Sequence, residues 1–382
     1  MVNNLGLEEL LRREIEEKGI LRLKPTFVAR SFYPGLNRLG LKNPDAGPKG
    51  EYVERWIASC VEADNPIRVK NEGLSEIMLE SVGVTILFRD CLKLLPDLML
   101  GESYAKSHDK RFGVLTKILD IGYPIPWHVH ARKEDAWRYW RMNSKEEAYY
   151  FIEHPKALGP VPYSHLAMHP GTEEEEVLEL LKRWSDDKVL DLSPAYRLNV
   201  GEGFHILPGV PHAPGTALTL EIQEESDVYN ILQARYRGEV LSRDLMLRGL
   251  PNEEAVVKLI DWKVSTDPYF YKKYHMVPEP VEDGPEGDGE EIWIYHPRRT
   301  RKFSGKQLKV KPHGKVRCME KGAHAILVWK GEGKMNDLRI AAQHGLDELF
   351  IPCPTATEGY LVENTGNDWL IIYKLFGPDV YP

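Results

Sequence analysis

Short apolar runs punctuated by glycine, proline and acidic residues dominate this chain, as in SVGVTILF, HAILVWKG, DELFIPCP and DWLIIYKLF. Runs of this length between turn-forming residues read as β-strands. Helical spacing is confined to a few stretches. Leu7, Leu10, Leu11 and Ile15 fall on one helical face, with Asn4 as a cap and Gly19 as a stop, which predicts a short amphipathic helix over this segment. The leucines of LKLLPDLML are also spaced for a helix. GTEEEEVLELLKRW opens on Thr172 and Glu175, a capping-box pair, and predicts a helix inserted among strands.

Between Lys24 and about Gly122, β-rich pieces such as EYVERWIASC alternate with helical ones; from Phe112 to about Val240 the rhythm is strand and turn. PEPVEDGPEGDGEE, from Pro278 to Glu291, is too polar to bury much area and predicts a linker or long loop. The apolar runs after it repeat the earlier rhythm. The expected organisation is therefore a large unit over 1–277, the acidic stretch 278–291, and a smaller all-β unit over 292–382.

Composition narrows the function classes. The 382 residues, with 42% apolar content, suffice for two or three packed units. The net charge of -8 is spread out with no basic stripe, so nucleic acid is not an expected partner. MVNNLGLEELLRREIEEKG has no apolar secretory core, and no run approaches the roughly 20 apolar residues of a membrane span. Cys60, Cys91, Cys318 and Cys353 are scattered without close pairing and read as reduced thiols, which makes the expected location cytoplasmic. Exposed strand edges allow a monomer or a homodimer.

The candidate chemistry lies in PIPWHVHARKED, SKEEAYYFIE and GEGFHILPGVPHAPG. Residues at i and i+2 of a strand share a face, so His128 and His130 can aim into one cavity while Val129 packs behind them. Glu147 and His212 follow on later strands. Three imidazoles and a carboxylate suit a divalent metal, zinc first, with manganese, iron or nickel compatible. Glu146 rivals Glu147, since neighbours on a strand point to opposite faces; the apolar residues after Glu147 favour it. His165, His169 and His205 read as surface or supporting residues. Trp137, Tyr139 and Trp140 of AWRYWRM could wall a ligand pocket or pack in a core. Around Cys318, Glu320 and His324, with Thr357 near the last position, the second unit offers only a scrambled version of the ligand set.

With these residues placed, the chain resembles the type I phosphomannose isomerases, zinc-dependent aldose–ketose isomerases. The likeness runs through LKPTFVARSFYPG, EYVERWIAS, the stretch from LLPDLMLGESY to WHVH, SKEEAYYFIE, VGEGFHILPGVPHAPG and EIQEESDVYNIL, covering most of residues 20 to 240. It implies a mainly β double cupin, two jelly-roll barrels with a helical insertion. It also implies metal ligands at His128, His130, Glu147 and His212. Lys117 and Lys145 match lysines that the family places beside the substrate, and Glu221 and Asp227 match acidic residues of its pocket. Glu221 or Asp227 would carry the proton, and Lys145 would act as acid or oxyanion partner. The implied activity interconverts mannose 6-phosphate and fructose 6-phosphate or close relatives, in carbohydrate metabolism.

Three positions depart from the family pattern. His128 replaces a glutamine ligand. Pro126 stands where the family has a serine that helps hold phosphate, and it brings neither hydroxyl nor amide hydrogen. Asn230 stands where the family has an active-site arginine, leaving Arg235 or Arg237 to substitute from nearby. HVHARKED is also similar to the histidine-pair stretch of cupin lyxose isomerases, so an isomerase of free mannose or lyxose is the nearest rival. A cupin dioxygenase and a non-catalytic sugar-binding protein share the ligand set.

Overall fold

A computed structural model describes residues 4–32, 35, 39, 51–65, 67–154 and 163–381. The chain is mainly β and its sheets are antiparallel. A seven-stranded sheet runs His275–Met276, Gly203–Ile206, Glu147–Glu153, Leu218–Glu224, Val114–Leu119, Glu51–Ile57, Thr26–Arg30. A nine-stranded sheet runs Glu279–Pro280, Gly289–Tyr295, Ser304–Val310, Leu370–Phe376, His324–Lys330, Glu348–Ile351, Leu21–Lys24, Glu76–Leu79, Val84–Leu87. Each is accompanied by a five-stranded sheet, one carrying His128–Val129 and His212–Ala213, the other Lys315–Cys318 and Tyr360–Asn364.

Strand alternation explains the layering. In Leu218–Glu224, Leu218, Leu220 and Ile222 join the largest core, together with Ala325, Leu327, Tyr373 and Leu375 of the nine-stranded sheet. The two large sheets therefore pack against each other. The alternate residues Thr219, Glu221 and Gln223 face the other way, towards the five-stranded partner. A second core, with Val316, Val362, Ile326 and Ile372, fills the space between the nine-stranded sheet and its partner.

The predicted helix at the start of the described chain spans Asn4–Lys18, and Gly19 ends it with φ 67°, a left-handed stop that glycine adopts without strain. The inserted helix is Glu174–Arg183, and its capping box lies one residue later than expected: Glu173 caps it and Glu176 accepts the Glu173 amide at 2.9 Å. In a run of four glutamates any of them offers the same carboxylate, so the sequence left the register open. Val177 and Leu181 of this helix pack with Trp127, Val129 and Ile231 behind the histidine strand.

Two expectations about organisation meet different facts. The acidic stretch Pro278–Glu291 holds the strands Glu279–Pro280 and Glu286–Gly287 and the start of Gly289–Tyr295. Main-chain pairing, such as Val281 N–H to Glu291 O at 3.0 Å, orders it without apolar side chains. Moreover, Leu21 pairs with Phe350 and Arg22 with Leu349, so strands from the first hundred residues complete a sheet otherwise built after residue 278. Among the described residues no helix is long and apolar enough to cross a membrane.

Candidate metal centre

His128 and His212 are directly opposite each other in the five-stranded sheet, and His130 lies one residue past the end of the strand His128–Val129. All three are buried. Their nitrogens lie within 4.8 Å of one another, and they are the one such group among the described residues. Each ring is oriented from behind by a main-chain carbonyl: His128 Nδ1 to Pro126 O at 2.7 Å, His130 Nδ1 to Val228 O at 2.9 Å, His212 Nδ1 to Val210 O at 2.8 Å. A carbonyl can only accept, so each Nδ1 is the donor, and each Nε2 of a neutral ring turns a lone pair into the cavity. Burial, reinforced by the neighbouring imidazoles, holds His128 well below the usual histidine range. Burial and the Lys145 ammonium lower His130 to about 3. Neutral imidazoles are what metal coordination requires.

Glu147 opens the strand Glu147–Glu153 and enters the cavity from the seven-stranded sheet, fully buried. Its Oε1 is 3.0 Å from His212 Nε2, and its Oε2 is 3.4 Å from His130 Nε2 and 2.7 Å from Lys145 Nζ. His212 Nε2 makes no hydrogen bond, whereas Glu147 Oε2 is held by the Lys145 ammonium. With the Nδ1 proton given to Val210, the Nε2–Oε1 contact is bridged either by a second ring proton or by a metal ion held between the two groups. Three imidazole nitrogens converging beside one carboxylate therefore fit a divalent metal. Lys145 Nζ also lies 3.1 Å from His130 Nε2. Burial pulls its ammonium towards neutrality, but Glu147 and Glu221 outweigh that and keep it charged. Glu146, the rival of Glu147, points away and meets His205 Nε2 at 2.8 Å.

Lys117 and Glu221 sit opposite each other on adjacent strands, with Lys117 Nζ 3.9 Å from Glu221 Oε1 and 3.2 Å from Asp227 Oδ1. Arg30, which the sequence reading did not single out, donates to both oxygens of Asp227 at 2.8 Å and to Glu54 Oε1 at 3.1 Å. Asp227 also accepts the Asp64 amide at 2.8 Å. Burial opposes its charge, but Arg30 and Lys117 prevail and hold it well below the usual carboxylate range. Glu221 differs: burial raises its pKa, and its Oε1 accepts no hydrogen bond although Lys145 Nζ is 3.4 Å away. Tyr149 donates its hydroxyl to Glu147 Oε1. Arg30, Glu54 and Tyr149 were hidden because each reads as an ordinary strand residue, and only pairing of distant strands brings them to the cavity.

The inner cavity has about 30 Å³ of room, and Glu54, Glu221 and Asp227 balance Arg30, Lys117 and Lys145 along its wall. Arg30, Phe32 and Tyr229 also line a larger outer pocket of about 560 Å³. There, Arg237 and Glu239 are accompanied mainly by apolar groups such as Pro126, Ile231 and Leu245. Asn230 is turned away from the cavity and gives its Nδ2 to Met246 O at 2.8 Å. Arg235 is engaged in a turn, bonding Gly238 O at 2.8 Å. Trp137 and Tyr139 are exposed on the helix Lys133–Trp140, outside both pockets, so neither walls a sugar site. Trp140 donates to Arg248 O at 2.8 Å, and His165 Nδ1 contacts Ser193 O at 3.1 Å, both in supporting positions.

No family model and no curated protein matches the chain. Solved structures do. A phosphomannose isomerase from Salmonella typhimurium, crystallised as a point mutant, matches with TM-score 0.64 and 15% identity over 94% of this chain and 100% of that one. The mannose 6-phosphate isomerase from Bacillus subtilis matches with TM-score 0.66 and 15% identity over 93% of this chain and 99% of that one. The chain shares the fold of these enzymes along nearly its whole length.

Proposed function

We propose that the protein is a metal-dependent aldose–ketose isomerase, interconverting mannose 6-phosphate and fructose 6-phosphate or a close relative. The observation that carries this is the convergence of His128, His130 and His212 with Glu147, a donor set for one divalent ion, beside a carboxylate and an ammonium able to exchange protons with a bound ligand. The names of the fold neighbours supply the substrate class.

His128, His130, His212 and Glu147 would hold the metal. A divalent ion there would supply Lewis acidity to a sugar oxygen and lower the cost of the oxyanion that forms between adjacent carbons. Glu221, with its free Oε1 and raised pKa, is the proton carrier between those carbons. Asp227 is excluded from that role in this reading, because Arg30, Lys117 and the Asp64 amide occupy its oxygens. It holds the two cations in place instead. Lys145, kept charged by Glu147 and Glu221, donates towards a developing oxyanion. Zinc suits the nitrogen-rich donor set, and manganese, iron or nickel remain compatible.

A free aldose is a second reading favoured by a particular observation. Among the described residues the outer pocket sets Arg30, Arg237 and Glu239 among apolar neighbours, Pro126 offers no hydrogen, and Asn230 faces elsewhere. Arg30 is already committed to Asp227 and Glu54, so a phosphate dianion would depend mainly on Arg237, with Glu239 beside it. Assaying metal-loaded protein on mannose and on mannose 6-phosphate separates the two by their ratio of kcat/KM. Absence of ketose from either, with metal verified as bound, would sink the isomerase reading.

A further inference from the structure

The strand registers of the two large sheets repeat. In the seven-stranded sheet Trp56 pairs with Lys117 and Lys117 with Glu221; in the nine-stranded sheet Trp293 pairs with Lys306 and Lys306 with Lys374. Glu54 and Glu291 each precede their tryptophan by two residues, and each lysine lies over that ring, Lys117 at 4.9 Å and Lys306 at 4.7 Å from the centroid. The same superposition of registers sets His324 against Glu147, since each opens its strand next to the equivalent neighbours. It also sets the pair Cys318 and Tyr360 against His128 and His212. Tyr360, rather than Thr357, therefore fills the last position. Thr357 is exposed on the helix Cys353–Glu358 and bonds Cys353 O at 2.9 Å.

At this second place no group of three metal donors remains among the described residues. His324 Nε2 meets the Tyr360 hydroxyl at 2.9 Å, a matched donor and acceptor. The Lys374 ammonium lies 2.7 Å from both Glu320 Oε1 and Glu291 Oε1, and Lys306 lies 2.7 Å from Glu320 Oε2. Protein ammonium groups thus supply the positive charge. These four residues are at most 7% exposed. Burying two ion pairs gains little over apolar packing, so stability alone does not account for them. A pocket of about 260 Å³ reaches Glu291, Cys318, Glu320 and Lys374. Their counterparts in the register, Glu54, His128, His130 and Glu221, line the inner cavity of the metal centre.

We propose that this pocket is a second ligand site, which takes a neutral polyhydroxylated molecule of hexose size and needs no metal. Hydroxyl groups both donate and accept, which matches a floor where ammonium and carboxylate alternate. An anion would meet Asp283 and Glu286 at the mouth, and a cation would meet Arg317 and Lys374. The proposal does not depend on what the metal centre does.

Substituting the buried cluster would strand charges and threaten folding, so the test is placed at the mouth. Gly284 is exposed, and a Cβ there meets only Val281 O, at an ordinary 3.6 Å. Calorimetric titration of the full chain with mannitol, mannose and myo-inositol, and with inorganic phosphate as the anionic contrast, is compared for wild type and Gly284→Trp. At least one polyol is expected to bind wild type and to bind Gly284→Trp at least about tenfold more weakly, with unchanged melting temperature. Equal binding in both proteins, no binding by any polyol, or a pocket blocked by Gly284→Trp that takes only phosphate would overturn it. Polyol binding that survives Gly284→Trp but is lost in His212→Ala belongs to the metal centre. That outcome also overturns this site while leaving the isomerase reading intact.

Discussion

At the scale of single residues, the cavity separates two carboxylates that the sequence alone treats alike. Glu221→Gln keeps the shape and removes the titratable oxygen, so kcat should fall by about 10²–10⁴-fold while metal content, measured by elemental analysis, stays near wild type. Asp227→Asn acts on stability. Removing its charge leaves Arg30 and Lys117 with too few partners, which should cost about 3–5 kcal/mol in denaturant titration. Asp227 also carries a pH dependence. Its folded pKa is depressed, so its stabilisation is fully present above the unfolded value of about 3.9 and is lost as pH falls below it. The acid limb of a stability curve should flatten in Asp227→Asn. His212→Ala should lose more than the about 10–100-fold in metal affinity typical of supporting partners, and chelator should then no longer lower its melting temperature. The histidine pair is legible in sequence because period-two alternation carries its geometry, whereas the choice of Glu147 over Glu146 needed the family match and the apolar residues beside it. Arg30 and Glu54 are not, because nothing in their local pattern marks a partner that lies at Asp227.

At the scale of elements, the centre depends on how closely the strands Glu147–Glu153 and Gly203–Ile206 approach. A Cβ on Gly203 would fall 1.9 Å from Tyr149 O, a clash with main chain that no rotamer relieves. Gly203→Ala should therefore push the strand carrying Glu147 and Tyr149 outward. A loss of about 1–3 kcal/mol in thermal or urea unfolding is expected, together with weaker metal retention. The helix Asn4–Lys18 could be read from its leucine spacing and its terminal glycine, whereas the capping register of Glu174–Arg183 could not, since four consecutive glutamates compete for the same place. The acidic stretch after Pro278 misled for a related reason. Composition reports side-chain burial, but its short strands are held by main-chain hydrogen bonds that composition does not encode.

At the scale of the molecule, the two large sheets are joined by charge as well as by apolar packing. Arg55, on the strand Glu51–Ile57, donates to Asp347 at 2.6 Å and to Glu348 at 2.9 Å beside the strand Glu348–Ile351. All three are buried. Arg55→Ala should leave two carboxylates without their cation and destabilise the whole chain by about 3–5 kcal/mol, seen as one cooperative shift in urea unfolding. The mainly β character was legible from turn-punctuated runs, but the pairing of early strands into the late sheet was not, because pairing across such separations leaves no local trace. That pairing has a consequence for biogenesis. Leu21–Lys24 leaves the ribosome long before Glu348–Ile351 is made, and its open edge is exposed to other nascent chains throughout that interval. A chain truncated before residue 348 would therefore leave that edge of Leu21–Lys24 without its partner, independently of any chemistry in the cavity.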